Sequence, residues 1–159
     1  MTEPEAITGG CQCGAVRFRI ARLGRASICH CRMCQKAFGN FFAPLVSTRG
    51  ATLTWTRGAP SYFHSSNFVK RGFCNKCGTP LTYEAPDGVA LAIGAFDHPE
   101  TLAPVVQFGV EGKLPFADTL HTLANRHTMD DIEAAPFLDN IVTYQHPDHD
   151  TATWPPTKT

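Results

Sequence analysis

The seven cysteines of this chain fall into three short clusters, and this distribution constrains the fold more than any other sequence feature. The clusters are Cys11 and Cys13, then Cys29, Cys31 and Cys34, then Cys74 and Cys77. Closely spaced cysteines are typical of zinc sites, in which thiolates lie about 2.3 Å from the metal. The fold must therefore bring segments that are distant in sequence to common metal-binding points.

Counting ligands favours one closed and one open zinc site. A structural zinc takes four protein ligands, whereas a catalytic or substrate-binding zinc takes three and keeps an exchangeable position. Two cysteine pairs complete the first kind of site, hereafter the closed cluster: Cys11, Cys13, Cys74 and Cys77. The remaining three form the second kind, hereafter the open cluster: Cys29, Cys31 and Cys34. Spacing alone leaves another grouping open, in which Cys11 and Cys13 are spare and the four ligands are Cys29, Cys31, Cys74 and Cys77.

Local spacing predicts how the closed cluster forms. Cys11 and Cys13 are two residues apart, so an extended chain would point both sulfurs to one face. A tight turn is expected across Cys74–Cys77. Gly14 and Gly78 directly follow the two pairs and suit turns that need a positive φ.

Disulfides explain the cysteines less well than zinc does. An odd number of cysteines leaves one thiol unpaired, and cysteines two residues apart form strained bridges. Met1–Ala6 has no apolar segment of the kind found in export signals, so we expect reduced thiols and a cytoplasmic location.

Charge and hydropathy exclude two classes of partner. Lys plus Arg equals Asp plus Glu, 14 of each, and this balance argues against a nucleic-acid partner. No apolar run approaches the ~20 residues that span a membrane, so we expect no membrane segment.

Alternation and turn residues predict a mainly β fold of short antiparallel strands with few short helices. The predicted strands are Val16–Ile20, Ala26–Cys29, Phe41–Ser47, Ala51–Thr56, Ser61–Ser65, Val69–Phe73, Pro80–Glu84, Val89–Phe96 and Val105–Val110. In the first of them, Arg17 and Arg19 alternate with apolar residues and are expected on the opposite face. Helices are predicted at Arg32–Phe38, ended by Gly39, and at Ala117–Arg126.

Length predicts a single domain over all 159 residues. Its tail, from Pro136 onward, is rich in Pro, Asp, His and Thr and is expected to be partly irregular. Met1–Ala6 is polar and is also expected to be irregular.

Three motifs resemble the glutathione-dependent formaldehyde-activating enzyme family. They are Gly9-Gly10-Cys11-Gln12-Cys13-Gly14, Cys29-His30-Cys31-x-x-Cys34 and Arg71-Gly72-Phe73-Cys74-x-x-Cys77-Gly78-Thr79-Pro80-Leu81. A looser likeness extends to Gly94-Ala95-Phe96-Asp97-x-Pro99 and Lys113-Leu114-Pro115. The resemblance covers about residues 7 to 120, which we take as the core of the domain, and leaves a C-terminal extension to residue 159.

The resemblance implies a β-tent fold with two zinc ions per chain, a structural one on the closed cluster and a second on the open cluster. It implies that the substrate thiol binds at the second zinc, through Cys29, Cys31 and Cys34. The implied activity is that of a carbon–sulfur lyase, which forms or cleaves S-hydroxymethylglutathione. Two departures concern the substrate: Phe116 stands where many relatives carry Trp, and Gln107-Phe108 replaces a stretch that often carries His.

Cations beside the open cluster are candidates for substrate binding. Glutathione carries two carboxylates, which Arg32 and Lys36 could orient. A different function is also compatible with the residues, that of a non-catalytic thiol carrier or protein-binding β-tent that contains zinc.

The histidines are weaker candidates. On an extended chain His30 points away from its two cysteine neighbours, so we expect it to pack or hydrogen-bond rather than bind metal. His64, His121 and His127 could titrate near neutral pH and are minor acid–base candidates.

Overall fold

A computed structural model describes residues 6–155, so nearly all of the Met1–Ala6 segment lies outside the described residues. In chain order the strands are β1 (Ile7–Gly10), β2 (Arg17–Ile20), β3 (Ala26–Cys29), β4 (Ala43–Ser47), β5 (Leu53–Arg57), β6 (Ser61–His64), β7 (Lys70–Phe73), β8 (Pro80–Ala85), β9 (Gly88–Ala92) and β10 (Gln107–Phe108). Helix α1 spans Arg32–Phe38, and the other helical segments are 3₁₀ turns. The prediction of a mainly β fold is confirmed.

The strands form two sheets. The smaller has the order β1-β2-β5, and the larger has the order β10-β3-β4-β9-β8-β7-β6. All pairs are antiparallel except β10 with β3, which is parallel. The parallel pair is short because only Gln107 and Phe108 enter the ladder, opposite Ile28 and Cys29.

Apolar residues from both sheets share a common buried cluster. Phe18 of β2 is fully buried, and its ring meets those of Trp55 and Phe96 edge to face at centroid distances of 6.0 and 5.1 Å. Leu81 of β8 and Leu91 of β9 are fully buried in the same cluster. This packing holds the smaller sheet against the larger one.

Helix α1 has the bounds that the sequence predicts. Cys31 is the N-cap, and its Sγ accepts a hydrogen bond from the Cys34 amide at 3.4 Å. Gly39 ends the helix in the left-handed region at φ +55°, where its amide bonds to Gln35 and Lys36 carbonyls. The helix is therefore capped at both ends, by a cluster cysteine at its start and by glycine, a common capping residue, at its end.

Three predicted elements are wrong in type or length. The strand predicted over Val105–Val110 is only β10, Gln107–Phe108, and Val110 begins a 3₁₀ turn, Val110–Gly112. The strand predicted over Val89–Phe96 ends at Ala92 and continues as a 3₁₀ turn, Ile93–Ala95. The helix predicted over Ala117–Arg126 is a 3₁₀ segment, Pro115–Thr122, in which the Thr119 and Thr122 hydroxyls donate to carbonyls three residues earlier. Such local side-chain bonds compete with a regular α-helix.

Arg17 differs in burial from Arg19, the other arginine predicted on the face of β2 opposite the core. It is buried, with 3% of its surface exposed, because its guanidinium forms a bidentate pair with Asp97 at 2.7 and 2.6 Å and also donates to Asp150. Asp150 belongs to the C-terminal extension, which covers the outer face of the small sheet at this point. Within residues 6–155 no helix has the length and apolar character needed to cross a membrane.

Candidate metal centres and the cavity beside them

The structure groups the cysteines as four and three. The sulfurs within each group all lie within 4.8 Å of one another. The closed cluster joins the end of β1 to the end of β7, and the open cluster lies where β3 meets α1. The other grouping that spacing left open, Cys29 and Cys31 with Cys74 and Cys77, is not the one observed.

The sulfurs of the closed cluster have spacings that suit a tetrahedral zinc. Cys11 Sγ lies 3.6 Å from Cys13 Sγ, and Cys13 Sγ lies 3.9 Å from Cys74 Sγ. Tetrahedral ligands at about 2.3 Å from zinc stand about 3.8 Å apart, so the donor set fits this metal. Amides also donate to the sulfurs, Val16 to Cys11 at 3.3 Å and Lys76 to Cys74 at 3.4 Å.

Turns, rather than an extended chain, bring these sulfurs together. The prediction of an extended Cys11–Cys13 segment is wrong, because the Gly14 amide bonds back to the Cys11 carbonyl at 2.9 Å and closes a turn. In the second pair the Gly78 amide bonds to the Cys74 carbonyl at 2.8 Å. The positive φ expected at both glycines is confirmed, at +77° for Gly14 and +79° for Gly78.

The environment sets the protonation of the closed-cluster thiols. Burial raises the pKa of the Cys11 thiol to about 12. Burial also acts on Cys77, but hydrogen bonds from the Thr79 hydroxyl and amide outweigh it and lower the pKa of Cys77 to about 6. Bound zinc would stabilise all four thiolates, including the buried one.

The C-terminal extension packs on the closed cluster. The His146 amide donates to the Gln12 carbonyl, and the Trp154 indole donates to the Cys13 carbonyl, both at 2.7 Å. The Lys76 ammonium lies 5.3 Å above the Trp154 ring. The extension therefore contacts both halves of the cluster.

An elbow between β3 and α1 positions the open cluster. Cys29 ends β3, Cys31 caps α1, and Cys34 lies in the first helical turn with 2% of its surface exposed. The buried Gln35 amide nitrogen donates to the His30 carbonyl at 2.7 Å and to the Gly112 carbonyl at 2.9 Å. These bonds fix the elbow, and therefore the three sulfurs, in one arrangement.

His30 lies outside both cysteine groups and supports this elbow. It is 1% exposed, its Nε2 lies 2.8 Å from the Gln107 Oε1, and its ring meets Phe42 edge to face. Gln107 is in β10, so the histidine joins the elbow to the parallel strand pair. The three minor candidates His64, His121 and His127 are all exposed and do not line the cavity described below.

A cavity of about 750 Å³ opens on the three cysteines of the open cluster. Its other lining residues come from several elements and include three arginines and one acid, Arg25, Arg49, Arg71 and Asp87. Such a volume lies within the usual range of small-molecule sites, about 300–1,000 Å³. A small organic molecule with more negative than positive groups would match this lining.

The open cluster favours a thiolate at Cys34. A hydrogen bond from the Cys29 thiol lowers the pKa of Cys34 to about 5 against the opposing effect of burial, and the Arg71 guanidinium adds to the shift. The same hydrogen bond and burial raise the pKa of Cys29. The residues thus supply a partly ionised, three-sulfur donor set suited to a thiophilic metal.

The predicted substrate contacts Arg32 and Lys36 are exposed on α1, and neither lines the cavity. Arg32 instead donates to the Gln35 Oε1 at 3.0 Å. Their role in substrate binding stays a prediction. The cations that do line the cavity include Arg25 and Arg49, for which the sequence has no local signal.

The chain is similar to a known protein family and to a solved structure. The family model for the glutathione-dependent formaldehyde-activating enzyme matches residues 6–111. A crystal structure of a Rhodobacter sphaeroides protein from a structural genomics programme is similar at 21% sequence identity and a TM-score of 0.49, over 63% of this chain and 98% of that one. The family match ends before the 3₁₀ segment Pro115–Thr122 and before His146 and Trp154, which contact the closed cluster.

Proposed function

The chain belongs to the glutathione-dependent formaldehyde-activating enzyme family, and we propose that it is a zinc-dependent carbon–sulfur lyase. Its substrate would be an aldehyde adduct of glutathione or a related thiol, such as S-hydroxymethylglutathione. The observation that carries the proposal is the three-cysteine cluster opening on a cavity lined by arginines. Zinc on three thiolates keeps a fourth position at which a substrate thiol would lose its proton.

The lining of the cavity matches the charges of glutathione. Glutathione has two carboxylates and one ammonium group. Arg25 and Arg49 line the cavity and are exposed, so they can bind carboxylates without a large loss of their own hydration. Asp87 offers a partner of opposite sign for the ammonium group.

Cleavage of the carbon–sulfur bond requires mainly that the adduct be correctly oriented and that the developing negative charges be stabilised. In cleavage, the adduct hydroxyl loses its proton to solvent, the carbon–oxygen bond becomes double, and the carbon–sulfur electron pair goes to sulfur. The products are a thiolate and an aldehyde, and formation is the reverse. The cavity would hold the thiol and the aldehyde together, which supplies much of the gain in such reactions.

The family and the cysteines also support two further parts of the proposal. Each chain would hold two zinc ions, a structural one on the closed cluster and a substrate-binding one on the open cluster. Seven cysteines that form no disulfide suit a reducing compartment, so we place the protein in the cytoplasm.

Cobalt substitution tests the proposal. Glutathione should add a thiolate-to-metal charge-transfer band to the spectrum of the cobalt protein, and S-methylglutathione, which cannot form a thiolate, should not. Cys34→Ser is the matched control and should lose the band. An unchanged spectrum at millimolar glutathione would refute thiol binding. A new band without faster formation or breakdown of S-hydroxymethylglutathione would show a thiol carrier instead of a lyase.

A further inference from the structure

Arg71 connects the open cluster to the cavity. It lies on β7, lines the cavity and is 6% exposed. Its Nη2 donates to the Cys34 Sγ at 3.4 Å, and its Nε donates to the Ser65 Oγ at 3.1 Å. The guanidinium also lies 5.1 Å from the centre of the Tyr83 ring, and Tyr83 is its register partner on β8. The side chain is therefore held from three sides.

The Nη1 nitrogen of this guanidinium differs from Nε and Nη2, which both donate hydrogen bonds. The Nη1 atom is buried and has no hydrogen-bond partner among residues 6–155. A buried donor without an acceptor is destabilising, and more so when the group is charged. Native proteins rarely keep such a group without a reason, and a site for a ligand oxygen is one such reason.

The position of this nitrogen suggests which oxygen it would meet. Nη1 belongs to the same planar group as Nη2, which contacts a sulfur of the open cluster. In a hemithioacetal the oxygen is bonded to the carbon that carries the sulfur. A substrate sulfur held beside Cys34 would therefore place that oxygen within reach of Arg71, while the carboxylates of the substrate extend toward the exposed Arg25 and Arg49.

We propose that Arg71 is a catalytic residue whose Nη1 donates to the hemithioacetal oxygen and stabilises the negative charge on it as the carbon–sulfur bond forms or breaks. This inference rests on the proposed function. Arginine keeps its proton, so the hydroxyl proton goes to solvent and the carbon–sulfur electron pair goes to sulfur. Arg71 contributes charge stabilisation only, as the donors of an oxyanion hole do.

The first test separates turnover from binding in the zinc-loaded full chain. Arg71→Met should lower kcat for breakdown of S-hydroxymethylglutathione by about 100-fold or more with little change in KM, the loss seen when one oxyanion donor is removed. Guanidinium ion in the buffer should restore part of the rate. Arg19→Met, an exposed arginine on β2, is the matched control and should leave the rate unchanged.

The second test needs no turnover. Thioacetate binds through sulfur and carries oxygen on the adjacent carbon, whereas ethanethiol carries none. By cobalt spectra, the preference of the natural protein for thioacetate over ethanethiol should shrink about tenfold or more in Arg71→Met, the value of one charged hydrogen bond. Intrinsic differences between the two thiols cancel when the proteins are compared.

Arg71→Lys is a second variant, which keeps the proposal testable if Arg71→Met loses its metal or does not fold. It keeps a cation beside Cys34 but removes the second nitrogen of the fork, so it should retain the metal and still lose at least tenfold in kcat. A rise in KM at constant kcat would overturn the proposal and make Arg71 a carboxylate anchor. Unchanged turnover and thioacetate preference, with the glutathione band present, would refute this inference alone. Absence of that band in the natural protein would refute the proposed function as well.

Discussion

Alanine at position 14 should destabilise the protein because the C-terminal extension leaves no room for a side chain there. Gly14 has φ +77°, and a Cβ on it would lie 2.1 Å from the His146 Cδ2 and 2.8 Å from the His146 Cβ. Gly50 provides a matched control. It has φ +69° and no atom within 4 Å of the corresponding position, so alanine there meets only the backbone strain.

The losses in the free energy of unfolding caused by Gly14→Ala and Gly50→Ala should differ by the cost of the steric clash with His146. Left-handed backbone costs an L-residue ~1–2 kcal/mol, and alanine recovers ~0.4–1 kcal/mol by restricting the unfolded chain. Gly50→Ala should therefore lower the free energy of unfolding by about 1 kcal/mol. Overpacking adds ~1–3 kcal/mol, so Gly14→Ala should cost about 2–4 kcal/mol. For a chain of this size that is a fall in Tm of roughly 5–15 °C.

The assay is thermal unfolding with saturating zinc, carried out as a double-mutant cycle with His146→Gly. Removing the His146 side chain removes the collision, so the cost of Gly14→Ala should fall to that of Gly50→Ala. The coupling should be about 1–3 kcal/mol. An equal cost of Gly14→Ala in both backgrounds would show that His146 does not lie over the closed cluster, and the account of the extension would be wrong.

Other consequences of the structure can be measured in the same preparations. Cys74→Ser should abolish the folded far-UV circular dichroism spectrum, since structural zinc contributes about 10–16 kcal/mol coupled to folding, whereas Cys34→Ser should keep the sheet and lose one metal by elemental analysis. Hydrogen bonds from Arg17 outweigh burial and lower the pKa of Asp97, so its contribution is complete above the unfolded pKa of about 3.9 and is lost as the pH falls through the folded pKa. Asp97→Asn should therefore cost about 3–5 kcal/mol in neutral denaturant titrations, and the cost should decrease as the pH falls through the lowered pKa of Asp97. Trp154 emission should change when a strong chelator removes the closed-cluster metal, measured as the difference between the natural protein and Trp154→Phe, which retains only Trp55.

Local sequence signals predict the parts of the site that depend on neighbouring residues. The end of α1 follows from Gly39, whereas its N-cap, Cys31, is a cluster cysteine that the sequence does not mark as a capping residue. Gly14 and Gly78 identify the turns of the closed cluster because only glycine adopts positive φ without cost. These features involve contacts within a few residues, which spacing and residue type are sufficient to specify.

Long-range contacts explain what the sequence does not predict. Arg17 alternates with apolar residues as a surface arginine would, yet it is buried because Asp97 and Asp150 approach it from 80 and 133 residues away. The cavity arginines Arg25 and Arg49 lie just before β3 and just after β4, and the pairing of these two strands places both along the cavity that opens on the open cluster. The residues next to Arg25 and Arg49 in sequence form no motif that would predict their position at the cavity.

Strand β7 connects the two candidate metal centres. It carries Arg71, which contacts Cys34 of the open cluster, and it leads directly into Cys74 of the closed cluster. The register of β7 shifts between Gly72 and Phe73, just before that cysteine, so the ladder alone does not fix the end of the strand. The closed cluster fixes it instead, by joining Cys74 to the turn after β1. A four-sulfur metal there would thus hold in place the guanidinium that borders the open cluster, which explains why one small domain would need a purely structural metal beside a substrate-binding one.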